Sequence, residues 1–381
     1  MLTNSDIQDL TSFRRALHER PELSGAEVQT AEIISQALNA LEPSELYKGL
    51  GGHGVAAVFD SGIEGPTILF RAELDALPIQ EETGVAWRSK RKGAGHLCGH
   101  DGHMTILLGL ARLLRRQPVN TGRIVLMFQP AEEDGSGARL VVADPRFDKI
   151  APDYAFAIHN EPGLPFGYVG TRAGLINCAS RGLSISLHGK TSHAAEPELA
   201  CSPIPILGEI VARLEGLSQD GSLDEGFRLV TITHMRSGEP SFGITPGEAT
   251  IFATLRSGSD EAIAEMQSHA EDNIKALAKQ HGLTVAFEIQ DDFAASINDP
   301  DATIIAQTAM DALSIPYGVE GVPMRASEDF GVFGWGAKSA MLCLGPGETH
   351  PALHQPDYDF DDNLIPIGAH LFERIARDLL G

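Results

Sequence analysis

Basic side chains are in short supply in this chain. Lysine and arginine together number 29 against 52 aspartates and glutamates, for a net charge of −23. Such a surface repels phosphates and anionic lipid, so neither nucleic acid nor membrane is expected as a partner. The acid excess suits solubility in a salty or crowded cytoplasm. Cysteine is scarce as well. Cys98, Cys178, Cys201 and Cys343 are the four cysteines of 381 residues, and they lie far apart. That argues against a disulfide framework and for a reduced compartment. No apolar run approaches the roughly 20 residues of a membrane span. The opening MLTNSDIQDL has neither a basic stretch nor an apolar one, so no secretory signal is expected and a cytoplasmic location is. Internal repeats and low-complexity tracts are missing too. What remains is ordinary globular composition, 43% hydrophobic and 21% charged, with length for two domains.

Periodicity organises the chain. Asp6 to Arg20 has helical spacing and stops at Pro21. Ser24 and Glu27 have the spacing of a capping box ahead of a second helix, about Ala26 to Leu41. Short apolar runs read as strands: Val55–Phe59, Thr67–Ala72, Arg123–Phe128 and Tyr154–His159. Helices are expected between some of them, at 104–116 and about 137–143. Strands alternating with helices predict an α/β layer with a largely parallel mixed sheet. The middle reads differently. Strands are expected at Leu183–His188, Arg228–Met235, Glu248–Arg256 and Leu283–Gln290. Helices are expected at Pro203–Leu217 and Asp260–His281, the latter closed by Gly282. The order β-α-β-β-α-β is that of a ferredoxin-like α+β unit. After about residue 292 the α/β pattern resumes, with a helix at Ala302–Leu313, a strand at Ser339–Leu344 and a helix at Ile365–Leu380. The expected organisation is a split first domain, 1–180 and 292–381, with 181–291 inserted.

Residues 96–103 read His-Leu-Cys-Gly-His-Asp-Gly-His. Thiolate, imidazole and carboxylate in one glycine-interrupted turn are the donors that a borderline divalent cation takes. The apolar stretch Met104–Leu114 follows, which puts the polar cluster at the mouth of a helix. The plainer alternative is a solvated loop with stray histidines. Three other segments place acids or histidines at strand ends, where α/β sheets carry their sites. Gln129-Pro-Ala-Glu132-Glu133-Asp134 ends one strand, and adjacent glutamates can divide metal binding from proton transfer. His159-Asn160-Glu161 ends another, although a lone histidine there is more often a satisfied edge residue. Thr349-His-Pro-Ala-Leu-His354 follows the strand 339–344. Glu73 and Asp75 could be ligands, carboxylates that orient a ligand from behind, or turn residues. Taken together, the donors exceed what one tetrahedral ion needs and suit two metals sharing a bridging ligand and a water. His188-Gly-Lys-Thr191 imitates the end of a phosphate-binding loop. Position 184, where that loop needs glycine, is Ser184, so nucleotide binding is not expected.

Several pieces together resemble a known family. They are Arg71-Ala-Glu-Leu-Asp-Ala-Leu-Pro78, the octet 96–103, Gln129-Pro-Ala-Glu-Glu133, Gly189-Lys-Thr-Ser-His-Ala-Ala195, Ser327-Glu-Asp-Phe330, and His354 ahead of Tyr-Asp-Phe. In this order they resemble the dimetal aminoacylase/carboxypeptidase-like amidohydrolases, in the branch of hippurate hydrolase, indoleacetyl-amino-acid hydrolase and N-acetyldiaminopimelate deacetylase. The resemblance covers nearly the whole chain. It implies that Cys98, His100, Glu133, His159 and His354 bind two divalent ions, which could be zinc, manganese, cobalt or nickel. It implies Glu132 as general base, with Asp75 and Asp101 as carboxylates supporting the ligands. His193 would reach the active site of a partner subunit and steady the oxyanion. The inserted unit would act as a lid and dimerisation domain in a homodimer.

The chain departs from the family pattern in places. Gly243-Ile-Thr-Pro246 stands where relatives often carry Asn-Val-Ile-Pro, and Gly243 cannot hold a substrate carboxylate as asparagine would. Arg256 remains as a candidate carboxylate partner. Thr191-Ser192 replaces two glycines before His193, and Glu73 stands where aspartate is common. The expected activity is hydrolysis of the amide bond in a small N-acyl amino acid or related amide. A dipeptidase or carboxypeptidase is the alternative enzyme. A metal-binding protein without catalysis is the alternative of another class, against which Glu132 beside Glu133 argues.

Overall fold

The first helix is fixed by its cap. Thr3 Oγ1 accepts from Asp6 N, and the Asp6 carboxylate accepts from Thr3 N at 2.8 Å, which closes a capping box ahead of Asn4–His18. The computed structural model describes residues 1–219, 221–224 and 226–381. The capping box expected at Ser24 and Glu27 does not form. The helix Val28–Asn39 starts at Glu27 with no side-chain cap bond. Ser24 instead donates to Asp75 at 2.7 Å, and Glu27 Oε1 accepts from Gly25 N and Ala131 N, both at 2.8 Å. Both side chains are claimed by loops that a local pattern does not register.

The chain forms two units. One comprises Met1–Ile176, Ser296–Pro323 and Glu328–Gly381. Its eight-stranded sheet runs in the order Glu45–Leu50, Gly54–Asp60, Arg123–Gln129, Thr67–Glu73, Tyr154–Asn160, Lys338–Leu344, Val169–Gly170, Tyr317–Gly318. The four strands from Arg123–Gln129 to Lys338–Leu344 are mutually parallel. Antiparallel pairs flank them on both sides, which makes the sheet mixed. Every residue of Thr67–Glu73 is buried, as expected of a parallel strand covered on both faces. Register aligns the strand ends: Glu73 lies opposite Gln129, and Leu344 opposite Asn160. The C-terminal ends therefore open along one edge, which is where such sheets build sites.

The helix His100–Arg116 packs against both Asn4–His18 and Leu364–Leu380. It begins inside the polar octet rather than after it, so His100, Asp101 and His103 occupy its first turn. Gly99 makes that start possible. It holds φ +90°, and a Cβ there would fall 2.0 Å from Asn160 Oδ1.

The second unit is Asn177–Ala295 with Met324–Ser327. Its four long strands are antiparallel, in the order Arg228–Ser237, Glu248–Ser257, Ala179–His188, Thr284–Phe293. The helices Ile204–Glu215 and Asp260–Gln280 pack on this sheet. Ser259 caps the longer helix by accepting from Ala262 N at 3.2 Å, and Gly282 at φ +69° follows its end. Sequence order and sheet order together are those of the ferredoxin-like unit. The two-residue strands Ser192–His193 and Ile244–Thr245 pair as a separate ribbon. Such short pairings carry too little periodicity to be read from sequence.

Candidate metal centre and active site

The larger unit brings six of the expected side chains together, the five expected ligands and Glu132. Donor atoms of Cys98, His100 and His159 lie within 4.8 Å of one another. So do those of Cys98, Glu133 and His354, and those of His100, Glu132 and Glu133. Cys98, His100 and Glu133 each belong to two of these groups. Individual spacings are short: Cys98 Sγ is 3.4 Å from His159 Nε2, His100 Nε2 is 3.8 Å from Glu133 Oε1, and His354 Nε2 is 3.6 Å from Glu133 Oε2. Ligands on a tetrahedral ion with bonds of about 2.0–2.3 Å stand about 3.3–3.8 Å apart. The residues present therefore fit divalent ions by distance. They also fit by unmet bonding capacity, because His100 Nε2 and Glu133 Oε1 are buried without a hydrogen-bond partner.

Each donor is aimed from behind. His100 Nδ1 donates to the main-chain oxygen of Asp75 at 2.9 Å, and His159 Nδ1 donates to that of Asn160 at 2.8 Å, which leaves both Nε2 atoms free as ligands. His354 holds φ +63°, a conformation that a non-glycine residue keeps only where its surroundings impose it. Here its N–H donates to Leu97 O at 2.8 Å, which ties the His354 turn to the octet. The loop bearing Glu132 and Glu133 is held by three buried carboxylates. Ala131 N donates to Glu27 at 2.8 Å, Glu133 N to Asp75 at 3.0 Å, and Ala138 N to Asp329 at 2.8 Å.

Of the network beneath this loop, only Glu73 has a candidate role from sequence; Arg71, Gln129, Glu328 and Asp329 have none. Arg71 is fully buried and donates to Gln129 at 2.9 Å, to Glu328 at 2.6 Å, to Asp329 at 2.7 Å and to Glu73. Gln129 in turn donates to both Asp329 oxygens at 2.8 Å. The acids of Glu132, Glu328 and Asp329 lie within 4.8 Å of one another. His103 donates from Nδ1 to Glu73 at 2.7 Å, and its Nε2 lies 2.7 Å from Asn160 Oδ1. A signal existed: Arg71 and Glu73 are charges inside an otherwise apolar strand.

The electrostatics of the pocket are those of a place short of cations. Burial pushes the Glu132 carboxyl well above its usual range, reinforced by Glu328, Glu133 and Asp329 and only partly opposed by Arg71. Burial lifts Glu133 to about 7 against the pull of His100. Burial also raises the Cys98 thiol, with Glu133 and Glu132 adding to it. His100 is raised to about 10 although burial opposes its charge, because Glu73, Asp75 and Glu133 outweigh that cost. His159 and His354 are lowered, first by burial and then by neighbouring histidines. Neutral imidazole is the metal-binding form, and bound cations would stabilise the thiolate and carboxylates.

The other expected residues stand elsewhere. Asp75 lies behind His100, its Oδ1 3.6 Å from His100 Nδ1. Asp101 does not orient a donor: its carboxylate accepts from His18 Nδ1 at 2.8 Å and from Arg14 at 3.2 Å. Adjacent residues on a helix do not share a face, so Asp101 points away from the side that His100 serves. His193, Gly243 and Arg256 belong to the second unit. His193 is exposed, and its Nδ1 accepts from Ala195 N at 3.0 Å, which leaves the proton on Nε2. Gly243 O accepts from Ala194 N at 3.0 Å, and a Cβ on Gly243 would meet nothing within 4 Å. Arg256 donates from Nη1 to Arg325 O and to Ser327 Oγ, both at 2.8 Å.

Known proteins are similar to this chain over nearly its whole length. Hippurate hydrolase of Campylobacter jejuni is 31% identical over 98% of each chain. An IAA-amino acid hydrolase of Arabidopsis thaliana is 29% identical over 97% of this chain and 86% of its own. The crystal structure of the Bacillus subtilis YXEP protein, a dinuclear metal-binding peptidase from the M20 family, superposes with a TM-score of 0.84 at 27% identity, covering 100% of this chain and 99% of that one. The family model described as peptidase family M20/M25/M40 matches residues 69–378, a span that contains every donor of the cluster. A strand-end cluster of this composition, on a chain so matched, places the protein among the hydrolases of peptidase family M20/M25/M40.

Proposed function

We propose that the chain hydrolyses the amide bond of small N-acyl amino acids or related amides, using two divalent ions. The observation that carries this reading is the buried, cation-poor pocket in which Cys98 belongs to two donor groups and Glu132 stands beside Glu133. Cys98, His100, Glu133, His159 and His354 are its ligands, and zinc, manganese, cobalt or nickel suit that donor set. When bound, the ions supply Lewis-acid polarisation of the carbonyl and acidify a water molecule. Glu132 would take a proton from a water whose oxygen bonds to the carbonyl carbon, and return that proton to the leaving nitrogen as the C–N bond breaks. A carboxyl beside the ligand Glu133 can accept that proton and then donate it. Acid and free amino acid depart.

Residues 1–180 and 292–381 form the catalytic domain in this reading, and 181–291 form the lid and dimerisation domain. His193 donates from Nε2 to the oxyanion of a partner's site in a homodimer. Two observations support the dimer. Met235, Phe242, Ile244 and Phe252 of this unit are exposed apolar side chains, and Ile244 pairs directly with His193. Arg228–Ser237 is also an edge strand of ten residues. Arg256 grips the substrate carboxylate, while Gly243 contributes no hydrogen bond there. No helix among the described residues is long and apolar enough to cross a membrane, and the cytoplasm is the proposed setting.

The test is metal per chain by elemental analysis, with amine release from a panel of N-acyl amino acids and dipeptides under added zinc, manganese, cobalt or nickel. Acyl amino acid hydrolysis with about two metals per chain is expected. Turnover confined to dipeptides would replace the acylase reading with a peptidase one. Failure to take up metal under every addition would remove the centre.

A further inference from the structure

Six arginines lie in the unit Asn177–Ala295 with Met324–Ser327. Four of them pair with a carboxylate: Arg181 with Asp292, Arg213 with Glu209, Arg228 with Glu265, and Arg236 with Glu239. Among the described residues, Arg256 and Arg325 pair with none. These two are neighbours. Arg256 Nη1 holds the main-chain oxygen of Arg325 at 2.8 Å, and the Arg325 guanidinium lies over the Phe227 ring, 5.4 Å from its centroid. Both cations bear on one thiol: burial raises Cys178 to about 11, and Arg256 and Arg325 are the charges that oppose the rise.

Counter-charge is not scarce in a chain with 52 acids. A half-buried guanidinium left without an anion is costly, and a purely structural site would be expected to cancel it. Burial lowers the proton affinity of Arg256, with only the Cys178 thiol countering. The donor inventory points the same way. Guanidinium offers five N–H groups in a rigid fork. Arg256 spends only its Nη1 on protein acceptors, so the Nε/Nη2 edge is unclaimed. That edge makes two parallel bonds to a carboxylate. Arg325 keeps all its donors, with its flat face steadied on Phe227. The result is two forks on residues in direct contact, both acting on Cys178, and each suits one carboxylate.

We propose that Arg256 and Arg325 together bind a dicarboxylate, so that the favoured substrate is an N-acyl amino acid with an acidic side chain. Arg256 takes the α-carboxylate and Arg325 the side-chain carboxylate. This rests on the reading above that Arg256 anchors the substrate.

The experiment uses the metal-loaded Glu132→Gln protein and the matched probes N-acetyl-L-glutamate and N-acetyl-L-glutamine, with affinities measured by titration calorimetry. The glutamate form should bind about ten-fold tighter, the scale of one charged hydrogen bond. Adding Arg325→Gln should bring the ratio close to one, and Arg325→Lys should restore part of it. Arg213→Gln, an exposed and already paired arginine, should leave the ratio as it was. Equal affinity for the two probes, no binding of either, or a ratio indifferent to Arg325→Gln would each overturn the proposal. Turnover of N-acetyl-L-alanine separates the two readings. If Arg256→Gln hydrolyses it with wild-type kcat/KM, the Arg256 anchor is lost whatever Arg325 does.

Discussion

Two arginines, Arg14 and Arg71, are buried in the larger unit, and their surroundings differ in one respect. Around Arg14, cations nearly match acids: Arg14, Arg15 and His18 stand among Asp101, Asp359, Asp362 and Glu81. Arg14 and His18 face Asp101, which accepts from both, with Asp359 and Asp362 bonded to the same guanidinium at 2.6 and 2.8 Å. Burial works against the Asp101 carboxylate, yet His18 and Arg14 hold it well below its usual range. Around Arg71, charges do not cancel. Asp329, which bonds directly to Arg71, still rises to about 7 through burial and the nearby Glu328. Glu132 rises too. A balanced network acts as a clamp, whereas an acid-rich one is incomplete without added cations. Burial of an arginine thus says little about function, and the charge left over around it says much.

That contrast can be broken at several points. The largest effect is expected from Glu132→Gln in the unbalanced network. Its kcat on acyl amino acids should fall about 10²–10⁴-fold, the range for a lost general base, while elemental analysis still finds the wild-type metal content. Retained turnover would remove Glu132 from the chemistry. Cys98→Ser should then lower metal content more than His159→Ala or His354→Ala does, because Cys98 alone of these belongs to two donor groups. Equal losses in the three variants would argue against a shared donor. In the balanced network, Arg14→Met should destabilise the fold by about 3–5 kcal/mol in urea titrations, by stranding the buried Asp101. Metal per folded chain should stay unchanged, and a metal loss matching that of Cys98→Ser would erase the distinction between the networks.

The remaining test concerns pH. His18 is raised to about 10 by Asp101 and Glu81 although burial opposes it, against an unfolded value near 6.5. A raised folded pKa gives stability that is complete below the unfolded value and is lost as pH climbs through the folded one. Wild-type stability should therefore decline between about pH 6.5 and 10, by at most about 1.4 kcal/mol per pH unit from this group. His18→Gln should flatten that decline, and an unchanged slope would show that His18 does not titrate there.

Local pattern carried much of this architecture. Apolar runs located the four parallel strands to within one residue at each end; His159 lies in one of them, Glu133 follows another closely, and Cys98, His100 and His354 stand on the later connections. Alternation and capping likewise located the ferredoxin-like unit, though its first strand begins at Ala179, four residues before the expected start. What was illegible depended on distant partners. Arg71 meets Glu328 across 257 positions, and no local period encodes such a pairing. Ser24 and Glu27 have the spacing of a cap, but stronger acceptors and donors from other loops capture them. Asp101 shares the octet with His100, yet helical geometry turns it to another face.

The position of Lys338–Leu344 in the sheet bears on how the protein is made. This strand lies inside the sheet, between Tyr154–Asn160 and Val169–Gly170, although most of the chain precedes it. During synthesis, Tyr154–Asn160 must therefore wait with one edge unpaired while the whole inserted unit is translated. Cys98, His100, Glu133 and His159 are all present by then, but His354 is not. A nascent chain thus carries an open apolar edge, which favours misassociation, beside a donor set lacking its last member. Chaperone cover is most needed during that interval, and a complete donor set has to await translation of the segment that carries His354.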